Sequence, residues 1–274
     1  SARGMGALFQ DDTKIMAFGN ANNTNDMGFP GGGGGGRFGG ARNGLNSSKM
    51  LGGNFNYERE DKLKLNGSLR WNHSDGDVIT KNASENFVSD KSSFSNSLNQ
   101  SYSRGDSWNA RMRIEWMPDS MTNIMFRPSV SITKTDKRST SRNASYNSDP
   151  YQYVDDPLED EAIKRLDELD AMVNSKSSRS LSYSESNAVN GMLQFNRKLN
   201  TRGRNFTLRA DAKYSDGDSR SASLQDVTLY QILDQLGNDS TYSTNRYTLT
   251  PTKGYSYTLK GTYTEPLAQT SFLQ

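Results

Sequence analysis

Two acidic quartets, Ser74-Asp75-Gly76-Asp77 and Ser215-Asp216-Gly217-Asp218, hold the residues whose types and spacing come closest to chemistry. Carboxylates two positions apart offer the hard oxygen atoms of which Ca²⁺ takes six to eight. Neither quartet carries the spaced ligand series of an EF-hand, so Asp75, Asp77, Asp216 and Asp218 are read as polar strand ends reaching water, with no metal site. His73 is the chain's one histidine and cysteine is absent, which excludes disulfides and Cys/His zinc sites. No Ser or Cys partner lies near His73 in sequence, and no other catalytic constellation stands out. The chain is therefore expected not to be an enzyme, and no cofactor is expected. The glycine run Gly31–Gly36 is not a phosphate loop, because no Lys-Ser or Lys-Thr follows at Walker spacing. Arg104-Gly105-Asp106 spells an adhesion tripeptide, a match short enough to arise by chance and here inside an expected strand. Asp155, Asp156, Glu159, Asp160, Glu161, Asp167, Glu168 and Asp170 against Lys164 and Arg165 read as the solvated face of a loop.

Composition sets the wider frame. Only 32% of the 274 residues are hydrophobic and mean hydropathy is -0.86, too polar for an ordinary core of that size. With 33 basic and 31 acidic residues the net charge of +2 makes no case for nucleic acid. No 18-residue apolar run exists, which excludes helical membrane spans.

The elements that must position these residues alternate with period 2. Trp108, Ala110, Met112, Ile114 and Trp116 fall on one face of a strand, with Asn109, Arg111, Arg113 and Glu115 opposite. A turn at Pro118-Asp119-Ser120 leads to a second arm with Ile124, Phe126, Val130 and Ile132 on one face and Asn123, Arg127, Ser129 and Ser131 on the other. The same pattern recurs at Leu51–Tyr57, Leu63–Trp71, Val189–Leu199, Phe206–Tyr214 and Tyr255–Tyr263, giving roughly ten strand pieces in all. A strand is also expected at Met5–Phe9, and a hairpin rather than a helix over Leu224–Leu236. Asp156 as N-cap, Pro157 at N1 and Leu158, Ala162, Leu166, Leu169 and Val173 at helical spacing predict one short amphipathic helix over 156–173.

Tight turns fall near residues 11, 60, 119, 201 and 266, each beside a clean apolar face. Long polar connections alternate with them, at 23–47 (Asn- and Gly-rich), 73–92, 140–180 (with the acidic helix) and 218–250. Trp108 and Trp116 stand about 26 Å apart at roughly 3.3 Å per residue. Tilted by roughly 40°, such a face spans most of a ~25 Å apolar band with an aromatic at each rim. Fold class is therefore expected to be all-β: a transmembrane antiparallel up-and-down β-barrel, partial, with short turns on one side, long extracellular loops on the other and one short loop helix. Trp71, Trp108, Trp116, Tyr214, Tyr255 and Tyr263 are the expected membrane-girdle aromatics. Arg111, Arg113, Arg127, Arg209, Lys64 and Lys213 are expected to face the lumen, where they can touch a plug or a solute or pair among themselves.

The stretches GNANNTNDMGFPGGGG from Gly19, NGLNSSKM from Asn43, EWMPDSMTNIMFRPS from Glu115 and YTEPL from Tyr263 resemble the outer-membrane β-barrel region of TonB-dependent receptor-like proteins of Gram-negative bacteria. The resemblance implies a barrel of about 22 strands closed around an N-terminal plug, often after a carboxypeptidase-regulatory-like domain. It also implies uptake of an extracellular solute powered through the TonB system, in the bacterial outer membrane, with plug, TonB and outer-membrane lipid as partners. The alternative is a structural or surface-interaction barrel without active transport. No signal peptide, plug or TonB box is visible in residues 1–274, so the chain is expected to be an internal fragment of the barrel domain that cannot close alone.

Overall fold

The computed structural model describes residues 2–23, 45–86, 93–268 and 271–273. It is one antiparallel meander in which every strand pairs with its sequence neighbours, β1 to β10 in order. The strands are β1 (Ala2–Gln10), β2 (Thr13–Asn22), β3 (Leu45–Arg59), β4 (Leu63–Asn86), β5 (Ser93–Asp119), β6 (Thr122–Tyr146), β7 (Met172–Lys198), β8 (Asn205–Leu233), β9 (Asp239–Ala268) and β10 (Ser271–Leu273). Nine strands thus run nine residues or more, with a three-residue tenth. One helix, α1 (Asp160–Glu168), sits between β6 and β7 after a 3₁₀ turn at Pro150–Gln152. The sheet is open, with β1 and β10 at its two edges.

Strand length is where the structure departs most from expectation. β4 to β9 run 24 to 30 residues, so each continues far past its apolar stretch. Residues 73–86 belong to β4, and 218–250 form most of the β8–β9 hairpin, closed by a turn at 234–238. Both were expected to be long polar connections because hydrophobic alternation stops there, and within the second the hairpin expected over Leu224–Leu236 is present. Backbone pairing does not stop, since a strand wet on both faces needs its ladder satisfied but no apolar residue. The connection expected over 140–180 is confined to 147–171. Of the Asn- and Gly-rich segment 23–47, residues 45–47 open β3, and 24–44 lie outside the described residues, as do 87–92.

The helix is shorter than its periodicity implied. Its N-cap is Glu159, not Asp156, and Pro157 lies in the preceding turn. The Asp156 side chain accepts instead from Leu158 N–H (3.2 Å), and its carbonyl accepts from Glu159 N–H (3.3 Å). That local turn withdraws Asp156 and Pro157 from the helix, as Asx turns do.

The short turns hold the other end. Between β3 and β4, Glu60 and Asp61 take φ of 46° and 55°, and Lys62 N–H donates to Arg59 C=O at 2.9 Å. This left-handed pair matches the twist of the strands it joins. Pro128 in mid-β6 has no N–H, and the β5–β6 ladder skips from Arg111↔Ser129 to Ile114↔Phe126 around it.

Candidate functional site

The registers sort side chains onto two faces. Trp71 pairs with Trp108, Trp108 with Ile132, Val130 with Val189, and Val189 with Tyr214, which pairs with Tyr255. The first face therefore carries all six expected girdle aromatics: Trp71, Trp108, Trp116, Tyr214, Tyr255 and Tyr263. Near the short turns this face is apolar and open: Leu69 is 51%, Trp108 45%, Leu193 48% and Leu259 72% exposed. Trp71 and Trp108 lie together at its upper limit, ring centroids 6.0 Å apart.

The second face, opposite this band, is polar and bonded to itself. Lys64, Arg111, Arg113, Arg127, Arg209 and Lys213 all lie on it. Glu115 accepts from Arg113 Nη2 and from Asn123 Nδ2, each at 2.7 Å. Arg209 clasps Asp211 through Nε (2.7 Å) and Nη2 (2.9 Å), and Lys64 Nζ lies in salt-bridge contact with Glu58 at 2.5 Å. Ser131 donates to Asn109 (3.1 Å) and Thr207 to Asn196 (2.8 Å). One sheet thus presents a greasy face with no internal partner and a polar face many of whose groups bond to one another, while Arg113 Nε and Asn123 Oδ1 are buried there without a hydrogen-bond partner.

Farther along the same strands the two faces change chemistry together. The second face becomes a field of hydroxyls: Ser101, Ser103 and Ser107 on β5, Ser139 and Ser141 on β6, Ser178 to Ser186 at alternate positions on β7, and Ser219 to Ser223 on β8. Ser139 and Ser180 share a hydrogen bond of 2.7 Å, as do Ser141 and Ser178. The first face becomes charged and tyrosine-rich, beginning with His73 directly above Trp71, on which its ring stacks at 5.9 Å.

His73 is buried between two carboxylates. Nδ1 lies 2.8 Å from Asp106 and Nε2 lies 2.9 Å from Asp75. A carboxylate oxygen within hydrogen-bond distance of each nitrogen is a geometry that suits a ring carrying both protons. Asp75 also accepts from the Tyr102 hydroxyl at 3.1 Å. Asp77 accepts from Gln100, and Asp218 from Arg220 at 2.8 Å. The four quartet carboxylates therefore sit mid-strand rather than at strand ends, and no group of three metal-ligating residues gathers among the described residues. Arg104 and Asp106 lie on the first face and Gly105 on the second, so the adhesion tripeptide has no loop tip to present it.

Beyond this belt, the connection 147–171 folds over the first face and makes the one hydrophobic core among the described residues. Tyr146, Leu158, Leu166, Ala171, Met172 and Ala144 are buried there, with Phe94 and Leu98 packed against them. A bulge pairs Tyr146 with Met172 and so turns Met172 onto this face. The Tyr146 hydroxyl donates to Pro157 C=O at 2.8 Å, and burial pushes its pKa up. Arg142 donates to Asp160 at 3.0 Å, and Lys81 Nζ to Asp156 at 2.6 Å. That Lys81 bond holds the Asp156 carboxyl below the usual carboxylate range.

The charged first-face rows are what the sequence reading passed over. Their signal was present, because Tyr102-Ser103-Arg104, Leu181-Ser182-Tyr183-Ser184-Glu185 and Asp218-Ser219-Arg220 alternate serine with a larger side chain. A search keyed to hydrophobic period sees nothing in them. Comparison with protein-family models and with curated proteins finds no match to this chain.

Proposed function

We propose that this chain is part of the wall of a transmembrane up-and-down β-barrel in a bacterial outer membrane, belonging to a receptor that takes up an extracellular solute with energy from the TonB system. The carrying observation is the open apolar band on the first face, bounded by short turns below and by Trp71, Trp108, Tyr214 and Tyr255 above. An apolar patch shared by seven strands, β3 to β9, is far larger than the few hundred Å² that soluble monomers leave in water. Lipid is the solvent that satisfies it. The second face, mainly polar, then lines the interior, and its ion pairs at Lys64, Arg113 and Arg209 suit a wet or plugged lumen. No helix of the described residues is long and apolar enough to cross a membrane, so any crossing is made by strands.

Transport, and TonB as its source of energy, rest on the resemblance of the four stretches quoted above. A structural or surface-interaction barrel uses the same wall. The parent gene separates the two: a plug and a TonB-contact segment upstream support the receptor, and further amphipathic strands without a plug support the structural barrel.

The membrane reading has its own test, made simple by the absence of cysteine. Single cysteines replacing Leu69, Met112 or Leu193 in the membrane-inserted protein should react with a lipid-soluble maleimide and resist a charged one. Cysteines replacing Ser84 or Tyr151 should react with the charged reagent from outside intact cells. Equal aqueous reactivity at both sets would overturn the reading.

A further inference from the structure

Resting on the membrane-barrel reading, we propose that the inward second face is a positively charged track for a polyanionic solute, one that carries phosphate or carboxylate groups. The whole-chain charge of +2 conceals a partition between the two faces. Asp75, Asp77, Asp106, Asp136, Glu185 and Asp218 all fall on the first face, where Arg104, Lys134, Arg138 and Arg220 offset them.

On the second face the signs do not balance. The carboxylates that β3 to β9 turn inward among the described residues are Glu58, Glu115 and Asp211, and each is already taken. Lys64 lies 2.5 Å from Glu58, Arg113 2.7 Å from Glu115 and Arg209 2.7 Å from Asp211. Asp119, at the β5–β6 turn, is held by Arg197 at 3.2 Å. The inward cations Arg111, Arg127, Lys137, Lys176, Lys213 and Arg246 form no ion pair with the described residues. From the row of Arg111 outward to that of Lys176, no carboxylate of the described residues faces inward.

Register draws these cations together. Arg111, Ser129, Asn190 and Lys213 form one cross-strand row, and Arg127 lies one row nearer the short turns on β6, between the two ends. Arg111 and Lys213 are three strands apart, about 14 Å at ~4.8 Å per strand, a span for a solute with more than one anionic group. Asn190 Nδ2, 3.4 Å from the Ser129 hydroxyl, adds uncharged donors between them. All three cations are exposed, which leaves their donors accessible.

The same sign continues outward. Arg127 and Lys137 are about 33 Å apart along β6 at roughly 3.3 Å per residue. Lys137 and Arg246 occupy successive rows among the serines of β5, β7 and β8. Charge of one sign along a wet passage with low-dielectric walls focuses the field, raising the local concentration of counter-ions. An anion is therefore drawn from the distal rows towards Arg111, Arg127 and Lys213, where guanidinium groups can take phosphate or carboxylate oxygens in pairs. A neutral solute gains nothing from this wall, and a cation is repelled.

The test uses the complete protein in nanodiscs, with single cysteines replacing Ser129 or Ser139 on the second face and Gln100 on the first. The ratio of modification rates by a sulfonate-bearing and a trimethylammonium-bearing methanethiosulfonate should be about tenfold higher at S129C and S139C than at Q100C. Millimolar inorganic pyrophosphate or citrate should slow modification of S129C, and sucrose should leave it unchanged. Adding R111Q/R127Q/K213Q should bring the S129C ratio down to that of Q100C and abolish protection. Adding K49Q/R179Q/K253Q, which removes equal charge from the first face, should change neither. Equal ratios on the two faces, or no protection by either anion, overturns the proposal without reference to any charge variant. An S129C that reacts with neither reagent also overturns it, assigning this stretch of wall to a fixed cover. Lipid-shielded band cysteines together with any of these results sink the track alone, whereas water-accessible band cysteines sink the membrane reading and the track with it.

Discussion

The turn-proximal and distal halves of this sheet are built on the same strands and the same ladder, yet they solve opposite problems. Near the short turns, one face holds more apolar surface than the chain itself can cover. The distal half carries scattered exposed apolar side chains such as Ile79, Leu181, Leu224 and Leu249 rather than a continuous band, and there the long strands stand on paired backbone, serine–serine bonds and one small cap core. Strand formation thus proceeds without a hydrophobic face, whereas location depends on where that face begins and ends. The ladder supplies architecture, and the side-chain rows decide what each height of the wall is in contact with.

Leu166→Ala is expected to have the largest effect on this division. Leu166 is fully buried in the cap, and the substitution should cost about 2 to 5 kcal/mol of local stability. Hydrogen exchange should accelerate over 147–171 and leave the turn-proximal ladder unchanged; acceleration in both would mean the halves are one cooperative unit.

Next comes the band. On the proposed membrane-barrel reading, Leu65→Arg should cost about 2 to 4 kcal/mol, and the neighbouring Asn66→Arg far less. Chemical denaturation of folded barrels in lipid vesicles measures both, and equal costs would reverse or abolish the assignment of faces.

The smallest effect is expected in pH. The lowered pKa of Asp156 gives a contribution present above about 3.9 and lost as pH falls through the folded value. Acid should therefore loosen the tie of the cap to Lys81. Amide exchange at 156–158 across pH reads this directly, and D156N should abolish the response; a tie unchanged by acid would contradict the Asp156–Lys81 bond.

Much of this was legible in the sequence. Alternation at Trp108–Trp116 and Leu63–Trp71 placed the strands, their two faces and the turns between them, because the strand period of two is local and a one-residue error would invert every side chain. The lumen candidates and girdle aromatics separate cleanly onto opposite faces for the same reason. The helix was visible as a period but not in its bounds, since Asp156 and Pro157 serve a turn just as readily as a cap.

What the sequence determined by itself, then, is the alternation: which residues share a face and where the chain reverses. Tertiary structure alone decided how far the strands run past their apolar stretches, because cross-strand backbone bonds carry no side-chain signature. It alone set His73 between Asp75 and Asp106, and gathered Arg111, Arg127 and Lys213 from three strands. Register joins residues that lie tens of positions apart, and no local spacing encodes register.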